Sequence, residues 1–121
     1  MLMVGCGSKK EAKQELMLAL LTEKANLPTD LGNGIVWTDV YLSGNDVVYE
    51  YNCNEYVNSI ADLNMRSIAV KENILTMLHS SAPQMKEFID NCKKADVGLI
   101  YRYTGNISGD ICTIRISPSE L

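Results

Sequence analysis

Four cysteines and one histidine carry the most reactive side chains in this chain of 121 residues. The cysteines are Cys6, Cys53, Cys92 and Cys112. No two form a CxxC pair, so neither a zinc ribbon nor a thioredoxin-type dithiol is encoded. The histidine, His79, is followed by Ser80 and Ser81. A general base needs an oriented nucleophile within hydrogen-bond reach, and residues this close in sequence do not adopt that geometry readily. A Cys92–His79 pair would have to form across a helix break. There is no HExxH, no EF-hand pattern of acids, and Gly105-x-x-x-Gly109 lacks the lysine and following helix of a phosphate loop. The sequence assigns no catalytic residue, no metal ligand and no cofactor, and it reads as a protein that is not an enzyme.

Cys6 is a different matter. Met3-Val4-Gly5-Cys6 resembles a bacterial lipobox, in which small residues precede the cysteine that receives a diacylglyceryl group. The thiol is the nucleophile toward the lipid, and the small residues let a peptidase reach the bond before it. Polar residues follow at once, Gly7-Ser8-Lys9-Lys10-Glu11. A complete signal also carries a basic segment and a longer apolar stretch; the five residues before Cys6 include no basic one. Lipidation at Cys6 would anchor the chain to a membrane without spanning it.

The formal net charge is -4, from 11 basic and 15 acidic residues, which leaves no electrostatic footprint for nucleic acid. Hydrophobic residues make up 46% and charged ones 21%, an ordinary balance that excludes a disordered chain. No apolar run approaches the ~20 residues of a membrane span. The lipobox-like start implies that residues 1–8 are a tether, and the length predicts 9–121 as a single domain.

The elements that would position any site follow from periodicity. Ser8 and Glu11 fit a capping box, and Leu16, Met17, Leu20 and Leu21 recur at helical spacing, predicting a helix over 9–25. Residues 29–34 read as a loop rich in turn formers. Residues 36–42 and 47–53 predict a hairpin about Ser43-Gly44-Asn45-Asp46. A long helix over 57–79, bent near 62–66, precedes a shorter one that opens at Ser81-Ala82-Pro83-Gln84, a second capping box. A second hairpin, 97–104 and 111–117, closes the chain. The order α-β-β-α-α-β-β predicts an α+β, two-layer domain: a four-stranded antiparallel sheet in order 1-2-3-4 with helices on one face.

Alternation then sorts the side chains. Val47, Tyr49, Tyr51 and Cys53 share a face with Leu99, Tyr101 and Tyr103. Cys112, Ile114 and Ile116 extend it on one side, and Val36, Val40 and Leu42 on the other. The helices should cover this apolar face. The opposite face would carry Trp37, Asp39, Tyr41, Glu50, Arg102 and Arg115. It reads either as a solvated face with cross-strand pairs, Glu50 with Arg102 foremost, or as a docking face anchored by Trp37 and Tyr41. In this antiparallel arrangement Cys53 and Cys92 end their elements on the same side, within the ~4.4–6.8 Å Cα range of a disulfide, and Cys112 stays a buried thiol.

The lipobox-like Met3 to Cys6, the Leu27-Pro28…Gly32 entry, the two YxY strands and the ending Ser117-Pro118-Ser119-Glu120-Leu121 together resemble a family of small uncharacterised bacterial lipoproteins. The resemblance implies a cell-envelope location, a membrane anchor on Cys6 and no catalytic residues. Two functions fit: a non-enzymatic envelope lipoprotein with a binding or structural role toward an envelope partner, or a small-ligand or peptide module with a cleft lined by Tyr49, Tyr51, Tyr101 and Tyr103.

Overall fold

The computed structural model describes residues 2–80 and 82–121, with side chains from residue 9 onward. A long helix, α1 (Leu2–Lys24), leads into a short strand β1 (Thr29–Gly32), then β2 (Ile35–Ser43) and β3 (Asp46–Cys53). Three helices follow, α2 (Ile60–Met65), α3 (Ser67–His79) and α4 (Pro83–Ala95). The strands β4 (Gly98–Gly105) and β5 (Ile111–Ile116) and a 3-10 turn, Pro118–Glu120, end the chain. Because α1 starts at Leu2, Ser8 lies inside the helix and does not cap it. Ser81, half of the second expected capping box, lies outside the described residues; Ala82 is the N-cap of α4 and Pro83 its first helical residue.

The sheet corrects the sequence-based expectation. It has five strands in order β1-β2-β3-β4-β5, and it is mixed: β3 and β4 run parallel, with Val47 beside Leu99 through Cys53 beside Gly105. The other pairings are antiparallel. The physical reason lies in the connection. The chain breaks at Arg66, so two expected helical legs become three. The chain thus returns to the end where β3 began, and the N–H of Gly98 donates to the carbonyl of Asn45 at 2.9 Å. Parallel pairing needs such a crossover. The added strand, β1, is only four residues of turn-forming type, TDLG, which periodicity cannot distinguish from a loop.

The core lies between the sheet and the helices. α1 contributes Ala12, Leu16 and Leu20 at four-residue spacing, all buried. Ile60, Leu63, Ile74, Leu78, Ile89 and Cys92 come from the other helices. Val40, Val47, Leu99, Tyr101, Ile114 and Ile116 face them from the sheet, as the alternation predicts. The β2 register shifts between Trp37 and Asp39, and one extra residue reverses the faces beyond it. Ile35 and Trp37, not Val36, therefore join Val40 and Leu42 on the covered side.

One end of the sheet is held by a carboxylate. Glu55 accepts from the backbone N–H of Ile107 (2.8 Å) and Ser108 (2.7 Å) and from the Ser108 hydroxyl, clamping the β4–β5 turn to the end of β3. The clamp requires glycine at 105, since a Cβ there would overlap the Glu55 carboxylate. The N–H groups of Ser108 and Ile107 hold the Glu55 carboxyl below the usual carboxylate range. A lowered folded pKa means that the clamp stabilises above the ordinary carboxylate range and is lost as pH falls through the lowered value. The difference in melting temperature between wild type and Glu55→Gln should therefore close in acid. Gly105→Ala should destabilise the fold, and Glu55→Ala should add little on top of it. Thermal denaturation of the double-mutant cycle checks this; additive effects would show that clamp and glycine act separately.

Candidate functional site

A cleft of about 410 Å³ lies between α1 and α4 on the helix side of the sheet. Its floor is Trp37 and Tyr49, and its walls are Ala19 and Leu20 from α1 and Met85 and Phe88 from α4. The two helices pack side by side over the sheet without closing over the aromatic floor. Such an apolar trough suits side chains that lose water on docking. Trp37 is fixed there by its indole N–H, which donates to the Asp39 carbonyl at 3.0 Å. Its ring lies 5.9 Å from that of Tyr49 and 6.4 Å from that of Tyr51.

The four tyrosines form a ladder. Tyr49 stacks on Tyr101 at 4.7 Å and Tyr51 on Tyr103 at 4.8 Å, with ring planes within 15°. Of the four, only Tyr49 lines the cleft. The rings fill space against each other, so a pocket walled by all four, as the sequence suggests for a ligand module, is not formed. Burial raises the hydroxyls of Tyr49, Tyr51 and Tyr101 well above the ordinary tyrosine value and pushes Tyr103 up to about 12. All four stay neutral at physiological pH.

The opposite face is open. Tyr41 donates its hydroxyl to Glu50 Oε2 at 2.6 Å, and Arg102 Nη1 meets the same oxygen at 3.0 Å. That hydrogen bond to Glu50 raises the Tyr41 hydroxyl. The expected Glu50–Arg102 pair is thus present, across parallel strands. At about a third exposed, it contributes at most ~1 kcal/mol. Arg115 is exposed on the same face and makes no ion pair among the described residues. The structure therefore brings together Tyr41, Glu50, Arg102 and Arg115 and places Trp37 on the other side. The bulge in β2 is the signal that alternation alone misses.

The thiols are inert by environment. Cys53, Cys92 and Cys112 are buried and free, so the expected Cys53–Cys92 disulfide is not formed. With β4 parallel to β3, the end of β3 meets the start of β5, and the neighbour of Cys53 is Cys112. Cys92 lies instead against Tyr49 and Tyr101. Burial pushes the Cys92 thiol up to about 12 and raises the other two. A thiol held protonated is a poor nucleophile. The Cys6 side chain lies outside the described residues. His79 ends α3 exposed, in a shallow cleft with Lys86, Asp90 and Lys93, while Ser80 turns its hydroxyl back to the Thr76 carbonyl at 2.8 Å. No group of three or more metal-ligating side chains occurs among the described residues, and no described helix is long and apolar enough to cross a membrane.

No protein-family model matches the chain, and no curated protein matches it. Solved structures do share the fold. A Pseudomonas aeruginosa protein described as secreted aligns with a TM-score of 0.73 at 11% identity, over 93% of this chain and 95% of its own. EpsS, the type II secretion system pilotin of Vibrio vulnificus, gives 0.62 at 9% identity, over 94% of each chain. AspS, the type II secretion system pilotin of Vibrio cholerae, gives 0.62 at 7% identity, over 98% of this chain and 99% of its own. At these identities the likeness is one of fold.

The thiol environments give a direct test. In the native protein at pH 8, Cys53, Cys92 and Cys112 should resist an aromatic disulfide reagent and should all react once guanidinium unfolds the chain. Intact mass without reductant should show the three thiols unpaired; a loss of two hydrogens would restore a disulfide.

Proposed function

We propose that this chain is a non-enzymatic accessory protein of the bacterial envelope. Residues 1–8 serve as a tether, Cys6 carries the lipid anchor, and the α1–α4 cleft receives an apolar segment of a secretion-system protein. The observation that carries this reading is the trough itself. Trp37, Tyr49, Leu20, Met85 and Phe88 converge on a space of about 410 Å³. Burying one large apolar side chain from a partner there is worth roughly 1.5–3 kcal/mol, so a few such anchors offset part of the cost of association. The shared fold with two type II secretion pilotins supports the choice of partner class. The buried, protonated thiols and the exposed His79 offer little to nucleophilic chemistry.

The open face is the competing docking surface, with Tyr41 as its aromatic anchor and Glu50, Arg102 and Arg115 as its charges. Two variants separate the faces. Ala19→Arg places a long charged side chain in the trough on a helix that tolerates it. Arg102→Ala with Arg115→Ala strips the open face. Expressed in the native host, wild type should co-purify with a secretion-system component, and Ala19→Arg should lose most of it at an unchanged melting temperature. Retention by Ala19→Arg together with loss by the open-face variant would overturn the cleft as the docking site. Mass spectrometry of the same preparations should find diacylglyceryl on Cys6, and Cys6→Ser should release the protein from the membrane fraction; an unmodified Cys6 would sink the anchor.

A further inference from the structure

We propose a second binding site, for the hydroxyl groups of a neutral saccharide, at the β1 end of the open sheet face. It does not rest on the docking function, which uses the other side of the sheet. A polar cleft of about 400 Å³ lies there, bordered by Asp30, Val36, Asn52, Asn54 and Asn106. The register builds it. Asp30 sits opposite Val36, and Val36 opposite Asn52, so the three form one row across β1, β2 and β3. Asn54 follows β3, and Asn106 comes from the β4–β5 turn that Glu55 clamps.

The amides are oriented before any ligand arrives. Asn54 Oδ1 accepts the Tyr56 backbone N–H at 3.0 Å. Asn106 Oδ1 accepts the Glu55 backbone N–H at 3.1 Å. Only an amide oxygen can meet a backbone N–H, so both side-chain NH₂ groups are turned away from those bonds. Asp30 is held the same way: Oδ1 accepts the Gly32 N–H at 2.8 Å, which leaves Oδ2 for a ligand. The Asn52 amide makes no side-chain hydrogen bond among the described residues. The cleft therefore has the oriented amides of Asn54 and Asn106, and the Asn52 amide, at its border beside one carboxylate oxygen, with Val36 and Gly34.

That donor set selects the ligand class. No cationic side chain borders the cleft, so an anion would find no counter-charge. A single carboxylate is too few ligands for a hard cation. A sugar hydroxyl both donates and accepts, and a pair of adjacent hydroxyls can donate to Asp30 Oδ2 while accepting from an asparagine NH₂. The volume falls in the range that holds small ligands.

The test uses the full chain, isotope-labelled, titrated with N-acetylglucosamine and with its β-1,4 trimer. Saturable shifts are expected in the side-chain NH₂ signals of Asn54 and Asn106 and the backbone of residues 30–36. Tighter binding of the trimer would indicate a polymer glycan, and equal binding a free sugar. Asn54→Asp and Asn106→Asp keep the oxygen that holds the loop but remove the donor. Each should weaken binding about tenfold without lowering the melting temperature at pH 7. No saturable shift with either probe would overturn the site, as would aspartate variants that bind like wild type.

Discussion

The parallel, in-register pairing of β3 with β4 is the constraint on which the other features depend. Neighbouring strands lie about 4.8 Å apart, and parallel register places residues of like position side by side. The two YxY segments therefore lay Tyr49 against Tyr101 and Tyr51 against Tyr103 at 4.7 and 4.8 Å, the strand spacing itself. Each such pair contributes about 0.5–1.5 kcal/mol beyond the area it buries. The partly exposed Glu50–Arg102 bridge contributes no more than ~1 kcal/mol. The aromatic ladder, not the ion pair, is the larger of the two cross-strand terms. The same pairing obliges the chain to return over the sheet, and that return supplies α4, one wall of the cleft.

Much of this was legible in the sequence, because alternation and helical spacing report faces directly. The apolar face, the Glu50–Arg102 partnership and the bend in the long helix all follow from local pattern. Strand direction does not. It depends on how many helical legs separate β3 from β4, and a break at Arg66 changes the count. The disulfide expectation failed with it, since reversing β4 exchanges the neighbours of Cys53. Trp37 failed for a different reason. A period-2 reading assumes an unbroken strand, and one extra residue between Trp37 and Asp39 turns the indole to the other side. The main aromatic of the cleft was thus visible as a residue but assigned to the wrong face.

That bulge also has an effect at the sheet edge. β1 covers only the first residues of β2, so the remainder is an edge strand. Unpaired edges invite strand addition. Here the Trp37 indole occupies the Asp39 carbonyl, and Asp39 Oδ1 accepts the Val40 N–H at 2.8 Å. Two backbone groups at the start of the open edge are already satisfied. Lys24 reaches Asp39 from α1 at 3.3 Å and lies over the Tyr41 ring, adding a charge beside the same stretch. One local irregularity therefore directs the indole into the trough and blunts the edge as an alternative docking surface.

The cleft wall and the proposed tether belong to one helix. α1 runs from Leu2 to Lys24, and Ala19 and Leu20 line the trough near its far end. At 1.5 Å per residue, Cys6 and Ala19 are about 20 Å apart along the helix. A lipid on Cys6 would thus place the trough up to about that far from the bilayer surface, at the end of a rigid rod instead of a flexible linker. A rigid spacer limits the orientations in which a partner segment can approach, and restricting those orientations lowers the entropic cost of docking. Inserting a Gly-Ser stretch between residues 9 and 12 would remove the rod but leave both anchor and trough. If the spacer matters, such a variant stays in the membrane fraction and binds its partner more weakly.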